Sequence, residues 1–223
     1  LGTSACGGDD SSAAADTSGG AAAAGPAITI GYSAWPGWFP LKVAEEKGFF
    51  EEAGVNVKLR YFTDYVSSID ALTAGQIDGN TQTLNDTMAG VAAGQKAAIV
   101  VHTDFSAGND AVIVDESINT IEDLKGKTVA AEAGVVDHFL LLQGLESVGL
   151  SEKDISFRGV LTDAAAAGFA GGEFDAVGVF APFTTEALKR PGSKVLFSSA
   201  DFPGSISDHT VLDSALVAER PDD

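Results

Sequence analysis

Positive charge, cysteine and histidine are all scarce in this sequence, and each shortage closes off a class of function. Lys and Arg together number 13 against 32 Asp and Glu, for a net charge of −19. With no basic run anywhere, nucleic acid and anionic membrane surfaces are poor partners, because both are held by clustered Lys and Arg. A single Cys, Cys6, excludes an internal disulfide framework. The three His (His102, His138 and His209) fall in different predicted elements without ligand spacing, so no metal site is expected. No apolar run approaches the roughly 18 to 20 residues of a membrane span. Phosphate-cradling glycine loops are missing too, since Gly7-Gly8 and Gly19-Gly20 belong to a linker. His138 stands beside Asp137, but no Ser or Cys nucleophile motif accompanies them. These absences predict a protein that binds without chemistry and without a cofactor.

What is present is a chain of 223 residues, 45% hydrophobic, enough for one or two cores. Its first 26 residues are of another kind: rich in Ala, Gly, Ser and Asp, with no bulky apolar residue after Leu1. Such a stretch buries too little to order itself and reads as a disordered tether. Leu1 to Cys6 resembles the end of a bacterial lipoprotein signal, with Ser4 and Ala5 before a cysteine that takes the lipid, although Thr3 stands where Leu is usual. Cys6 is therefore the expected lipid attachment site, and the lipid the only expected link to a membrane.

From Ala27 the chain alternates short apolar strands with helices. Strands are predicted at Ala27–Tyr32, Val55–Phe62, Ile77–Thr81 and Ala97–Thr103, and helices at Leu41–Lys47, Asp64–Thr73 and Leu84–Ala93. A second series follows from Asn109, with strands at Ala111–Val114, Thr128–Glu132, Ile155–Val160, Ala176–Phe180 and Lys194–Phe197. Helices Val135–Val148, Thr162–Ala170 and Pro182–Lys189 lie between them. This alternation predicts parallel α/β sheets with helices on both faces. Ala74-Gly75-Gln76-Ile77-Asp78-Gly79 is echoed by Gly171-Gly172-Glu173-Phe174-Asp175-Ala176. Two similar lobes follow, 27–108 (with 209–223 returning to it) and 109–208, whose facing strand ends make a clamshell for a small molecule.

The ordered motifs YSAWPGWFPLKVAEEKGFFEEAGV, LTAGQIDG, INTIEDLKGKTVA and FAGGEFDAV resemble those of the solute-binding proteins of ABC importers in the nitrate, sulfonate, taurine and bicarbonate group. The resemblance covers nearly the whole chain from Ala27. It implies the two-lobed periplasmic-binding-protein clamshell and an extracytoplasmic location. It also implies an ABC permease with its ATPase as partners, and a carboxyl-terminal part of the first lobe beyond Asp223. Enzymes that synthesise the thiamin pyrimidine share the fold, but their metal-ligand and histidine motif is not found here.

At the carboxyl ends of the predicted strands stand Ser33, Trp35, Trp38, Asp64, Tyr65, Thr83, Asn85, Asp86, Asp110, Glu132, Asp137, His138 and Phe180, with Asp208 near the hinge. None is Lys or Arg. Carboxylates beside aromatic faces suit a compact organic cation, through charge-assisted hydrogen bonds and cation–π attraction. The expected ligand is a small polar nitrogen compound, guanidinium-like, and the loop around Trp35 resembles that of guanidine importers. Nitrate, taurine or another sulfonate, and bicarbonate are the alternatives, held by helix amino termini and His138.

Overall fold

The computed structural model describes residues 25–223, so Cys6 lies outside the described residues. In chain order the elements are β1 (Ile28–Tyr32), α1 (Phe39–Lys47), α2 (Phe49–Glu52), β2 (Val57–Tyr61), α3 (Tyr65–Thr73), β3 (Gly79–Thr83), α4 (Leu84–Ala92) and β4 (Ala97–Phe105). Next come β5 (Asp110–Val114), β6 (Thr128–Ala131), α5 (Val136–Ser147), β7 (Ser156–Gly159), α6 (Thr162–Ala170), β8 (Ala176–Phe180), α7 (Phe183–Ala187) and β9 (Lys194–Ser198). The chain then returns through β10 (Ser207–Asp213) to α8 (Ser214–Glu219).

The strands form two five-stranded sheets, ordered β2-β1-β3-β10-β4 and β7-β6-β8-β5-β9. Each has a parallel core, β1 between β2 and β3 in one and β6 between β7 and β8 in the other. The expectation of purely parallel sheets is corrected: β10 runs antiparallel to β3 and β4, and β5 antiparallel to β8 and β9. Those two strands are the ones on which the chain passes between the lobes: residues 106–109 lead from β4 to β5 and 199–206 from β9 to β10, each link joining one sheet to the other.

The sequence echo between the lobes has a structural cause. Asp78 accepts a hydrogen bond from the Thr29 backbone N–H at 2.7 Å, and Asp175 accepts one from Thr128 N–H at 2.8 Å. Each carboxylate ties the start of the third strand of its parallel triplet to the start of the first, using a donor that the ladder leaves over.

Packing is uneven between the sheets. In the second, Val112, Ile113 and Val114 on β5 are fully buried, with Leu141 and Leu145 of α5 on one face and Phe169 of α6 on the other. Helix α5 accommodates Gly144 because a Cβ there would come within 2.1 Å of the Phe197 ring. The first sheet has a smaller core around Phe62, Leu72, Ile77 and Val211. Its opposite face carries an open apolar groove of about 410 Å³ lined by Val57, Val101, Leu212, Leu216 and others. Substitution should report the contrast. Leu145→Ala is expected to lower unfolding free energy by about 2–5 kcal/mol, whereas Val100→Ala, at a side chain left 42% exposed, should change it by less than about 0.5 kcal/mol. Urea denaturation followed by circular dichroism measures both.

Candidate functional site

The carboxyl ends of the parallel strands in both sheets face one crevice, and its first wall is aromatic. After β1 the chain turns through Trp35, Pro36, Gly37 and Trp38, and both indoles are buried. Trp35 Nε1 donates to Asp104 Oδ1 at 3.1 Å across the strand ends. Gly37 makes this possible, since a Cβ on it would lie 2.0 Å from the Asp104 carboxylate. Trp38 packs against Tyr65 with ring centroids 5.5 Å apart. Phe180 from the second lobe closes edge-on against Trp35 at 6.3 Å and Tyr65 at 6.4 Å. The faces of four rings from two lobes thus enclose one small volume.

Beneath the rings lie carboxylates. Asp86, in the first turn of α4, accepts from Tyr65 Oη and Thr83 Oγ1, each at 2.8 Å, and from Asn85 Nδ2 at 2.8 Å. Burial pushes its pKa up to about 6, Glu132 adding to the rise while the Thr83 and Tyr65 hydroxyls and the Val136 N–H of the other lobe oppose it. Asp110 is pushed up to about 7, chiefly by burial and then by Asp104 and Asp86, against the pull of Ser106. Asp208 reaches about 8 through burial and the charges of Asp104 and Asp110, with the Trp38 indole N–H opposing the shift. Glu132 and Asp137 are also held above the usual carboxylate range by burial. The single Thr162 hydroxyl lies 2.6 Å from Glu132 Oε2 and 2.7 Å from Asp137 Oδ2. One hydroxyl proton serves one acceptor, so one of these carboxyls carries a proton of its own and donates it to Thr162. Four carboxylate oxygens, on Asp110, Glu132, Asp137 and Asp208, are buried without a hydrogen-bond partner among the described residues.

Two adjoining cavities open here, each leaving about 10 Å³ for the centre of a water-sized sphere. Trp35, Trp38, Tyr65, Thr83, Asp110, Val136, Phe180, Ile206 and Asp208 line one. The other is lined by Ser33, Asp64, Tyr65, Glu132, Thr162, Asp163, Phe180, Phe183 and neighbours. No Lys or Arg lines either.

Most sequence-predicted residues therefore converge, but not all as expected. Asp86 and Asp137 lie behind the cavity walls, while Asp64 lines the second cavity and caps α3 by accepting from Ser67 N–H at 2.8 Å. Asn85 lines neither cavity and braces Asp86 instead. The expectation that His138 meets the ligand is corrected: its ring stacks on Phe157 at 4.3 Å and Nε2 sits 2.6 Å from Glu152, turned out of the crevice by its place on α5. Thr162, Phe183, Val136 and Ile206 were missed. Of these only Thr162, at a helix start just after a strand, carried a sequence signal.

The NMT1/THI5-like family profile matches residues 35–211, most of the chain and all of the crevice's first wall from Trp35. The chain belongs to that family. It is 32% identical over 164 residues to the taurine-binding periplasmic protein of Escherichia coli K12, covering 72% of this chain and 50% of that one. Among solved structures it is similar to the periplasmic aliphatic sulphonate binding protein SsuA of E. coli, with a TM-score of 0.75 and 25% identity over 89% of this chain and 68% of that one. A TM-score of 0.78 at 23% identity relates it to the alkanesulfonate-binding SsuA of Xanthomonas axonopodis pv. citri bound to MOPS, over 90% and 70% of the two chains. The two-sheet α/β architecture is the periplasmic-binding-protein fold of those structures. The chain spans 50–61% of the length of the curated relatives it matches.

The buried carboxyls give a pH dependence whose sign is opposite to that of a salt-bridged acid. With folded pKa values of about 6, 7 and 8 against roughly 3.9 unfolded, the native state holds more protons than the unfolded chain across that interval. Their contribution is fully present below pH 4 and is lost as pH rises through 8. Exposed acids held low by hydrogen bonds, such as Asp123 and Asp154, remove stability on the acid side. Without ligand, the melting temperature should therefore fall between pH 5 and pH 8 in differential scanning calorimetry, and Asp208→Asn should flatten the decline.

Proposed function

We propose that this chain is the solute-binding component of an ABC importer and that it captures a small organic cation, guanidinium-like, between its lobes. The observation that carries the ligand class is the buried set of carboxylate oxygens without partners, facing an aromatic enclosure that contains no Lys or Arg. A planar cation with several N–H groups supplies what these oxygens lack, and each indole face adds roughly 0.5 to 2 kcal/mol of cation–π attraction. Each cavity as it stands admits about one water, so a ligand of any of these classes enters only with the lobes further apart.

The relatives' names, taurine and sulfonates, support the importer role and the small-ligand class. They also favour one second reading, a zwitterion such as taurine whose ammonium meets the carboxylates. A simple anion, whether nitrate, a sulfonate or bicarbonate, would be opposed by the ionised fraction of these acids and would hold Asp110 and Asp208 protonated, whereas a cation draws their protons off. Those relatives and neighbours are named as binding proteins, in keeping with a site whose cavity walls are aromatic rings, acids and hydroxyls with no histidine among them to serve as a base.

One pair of variants separates the ligand classes by sign. If the ligand is a cation, Asp110→Asn and Asp208→Asn should each weaken guanidinium binding by about ten- to a hundredfold, equivalent to roughly 1.5–3 kcal/mol. If it is an anion, both changes remove repulsion, and nitrate or sulfonate binding should tighten. Isothermal titration calorimetry with guanidinium, taurine, nitrate and bicarbonate reads the outcome, with folding checked by circular dichroism.

In the same reading the amino-terminal 26 residues tether the lobes to the outer face of the cell membrane through lipid on Cys6, beside the permease and its ATPase. Expressed behind a complete signal peptide, the Cys6→Ala form should leave the membrane fraction and appear in the soluble one. Retention at the membrane would refute the anchor.

A further inference from the structure

Away from the crevice, the three histidines are less scattered than their spacing suggests. β4 and β10 run antiparallel with His102 directly opposite His209, and the ladder shifts register between Asp208 and His209. Such an irregularity re-aims side chains. Asp208 goes to the crevice, whereas His209 turns to the His102 ring, with centroids 5.2 Å apart and planes at 68°. His209 is 7% exposed. Its Nε2 lies 3.0 Å from Ser207 Oγ, and its Nδ1 is buried with no hydrogen-bond partner among the described residues. His102 is exposed on the edge strand, packs against the Phe105 ring with centroids 4.3 Å apart, and makes no hydrogen bond through its own ring among the described residues.

We propose that His102 and His209 form a two-imidazole site for a divalent late first-row transition-metal ion such as Ni²⁺, Cu²⁺ or Zn²⁺. Two imidazoles bound through nitrogen at about 2.0–2.1 Å along tetrahedral directions place their ring centroids roughly 5 Å apart, which is the separation found here. A proton on Nε2 given to Ser207 leaves the lone pair of Nδ1 for the metal, so Ser207 acts as the orienting partner that metal-bound histidines commonly have. Among the described residues no three His, Cys, Asp or Glu side chains converge on one point, and Asp104 is engaged by Trp35. Water would fill the other coordination positions on the exposed His102 side.

The test is calorimetric titration of the untagged full chain with NiCl₂ at pH 7.5. One ion per chain should bind saturably. His102→Ala, at an exposed position that does not threaten the fold, should weaken binding by more than about tenfold, and Ser207→Ala by about tenfold. His138→Ala should leave it unchanged. Electron paramagnetic resonance of the Cu²⁺-loaded chain should show two nitrogen donors. Absence of saturable binding, or undiminished binding by the His102→Ala chain, which would place the ion on the acidic surface, overturns the proposal.

Discussion

Burying carboxylates with no cation in reach is the constraint from which the rest of the crevice follows. Water solvates an ionised acid far better than a protein interior does, so each buried Asp here must be protonated, be hydrogen-bonded by its neighbours, or wait for an external cation. All three responses occur side by side. Asp86 is satisfied by Tyr65, Thr83 and Asn85 and rises least, to about 6. Glu132 and Asp137 share one hydroxyl and must hold a proton between them. Asp110 and Asp208, each with a free oxygen on the cavity, rise to about 7 and 8. A bound cation would relieve these last two most.

The fold makes that arrangement possible by using one topology twice. In both sheets a parallel triplet is followed by an antiparallel strand reached through a short link, and an Asp pins the third strand to the first. The strands whose direction breaks the pattern, β5 and β10, are the ones entering and leaving the second lobe, and they carry Asp110 and Asp208 at their crevice ends. The hinge therefore delivers two of the acids itself. The aromatic rings come from the loops: Trp35 and Trp38 after β1, Tyr65 after β2, and Phe180 at the end of β8. Lobe closure brings Phe180 against Trp35 and Tyr65, so the ligand space exists only with both lobes present.

The structure also shows two uses of exposed surface outside the crevice. The apolar groove on the first sheet takes part of its lining from β4 and β10, and the paired imidazoles lie on the same two strands. Both arise from long-range pairing of β10 with β4, two strands separated by the whole second lobe.

Local sequence signals determined the periodic elements and the chemistry of the strand ends. Val55–Phe62 reads as a strand from alternation, Thr63 or Asp64 as the cap of the helix after it, and the Trp35–Trp38 turn as a pocket wall from its place at the carboxyl end of the first strand. The absence of Lys and Arg from the predicted crevice positions is readable too, and it supports the ligand class that the unpartnered carboxyl oxygens carry. What no local signal carried was strand direction and side-chain aim. Parallel and antiparallel neighbours have the same composition when both faces are buried, so the direction of β5 and β10 is decided by the tertiary pairing of each within its sheet. His138 sits beside Asp137 in sequence, yet successive helical residues point about 100° apart, which sends the Asp inward and the His to Phe157 and Glu152. His102 and His209 meet because a register shift late in the chain turns one ring toward the other, and a contact across that much intervening sequence is set by tertiary pairing alone.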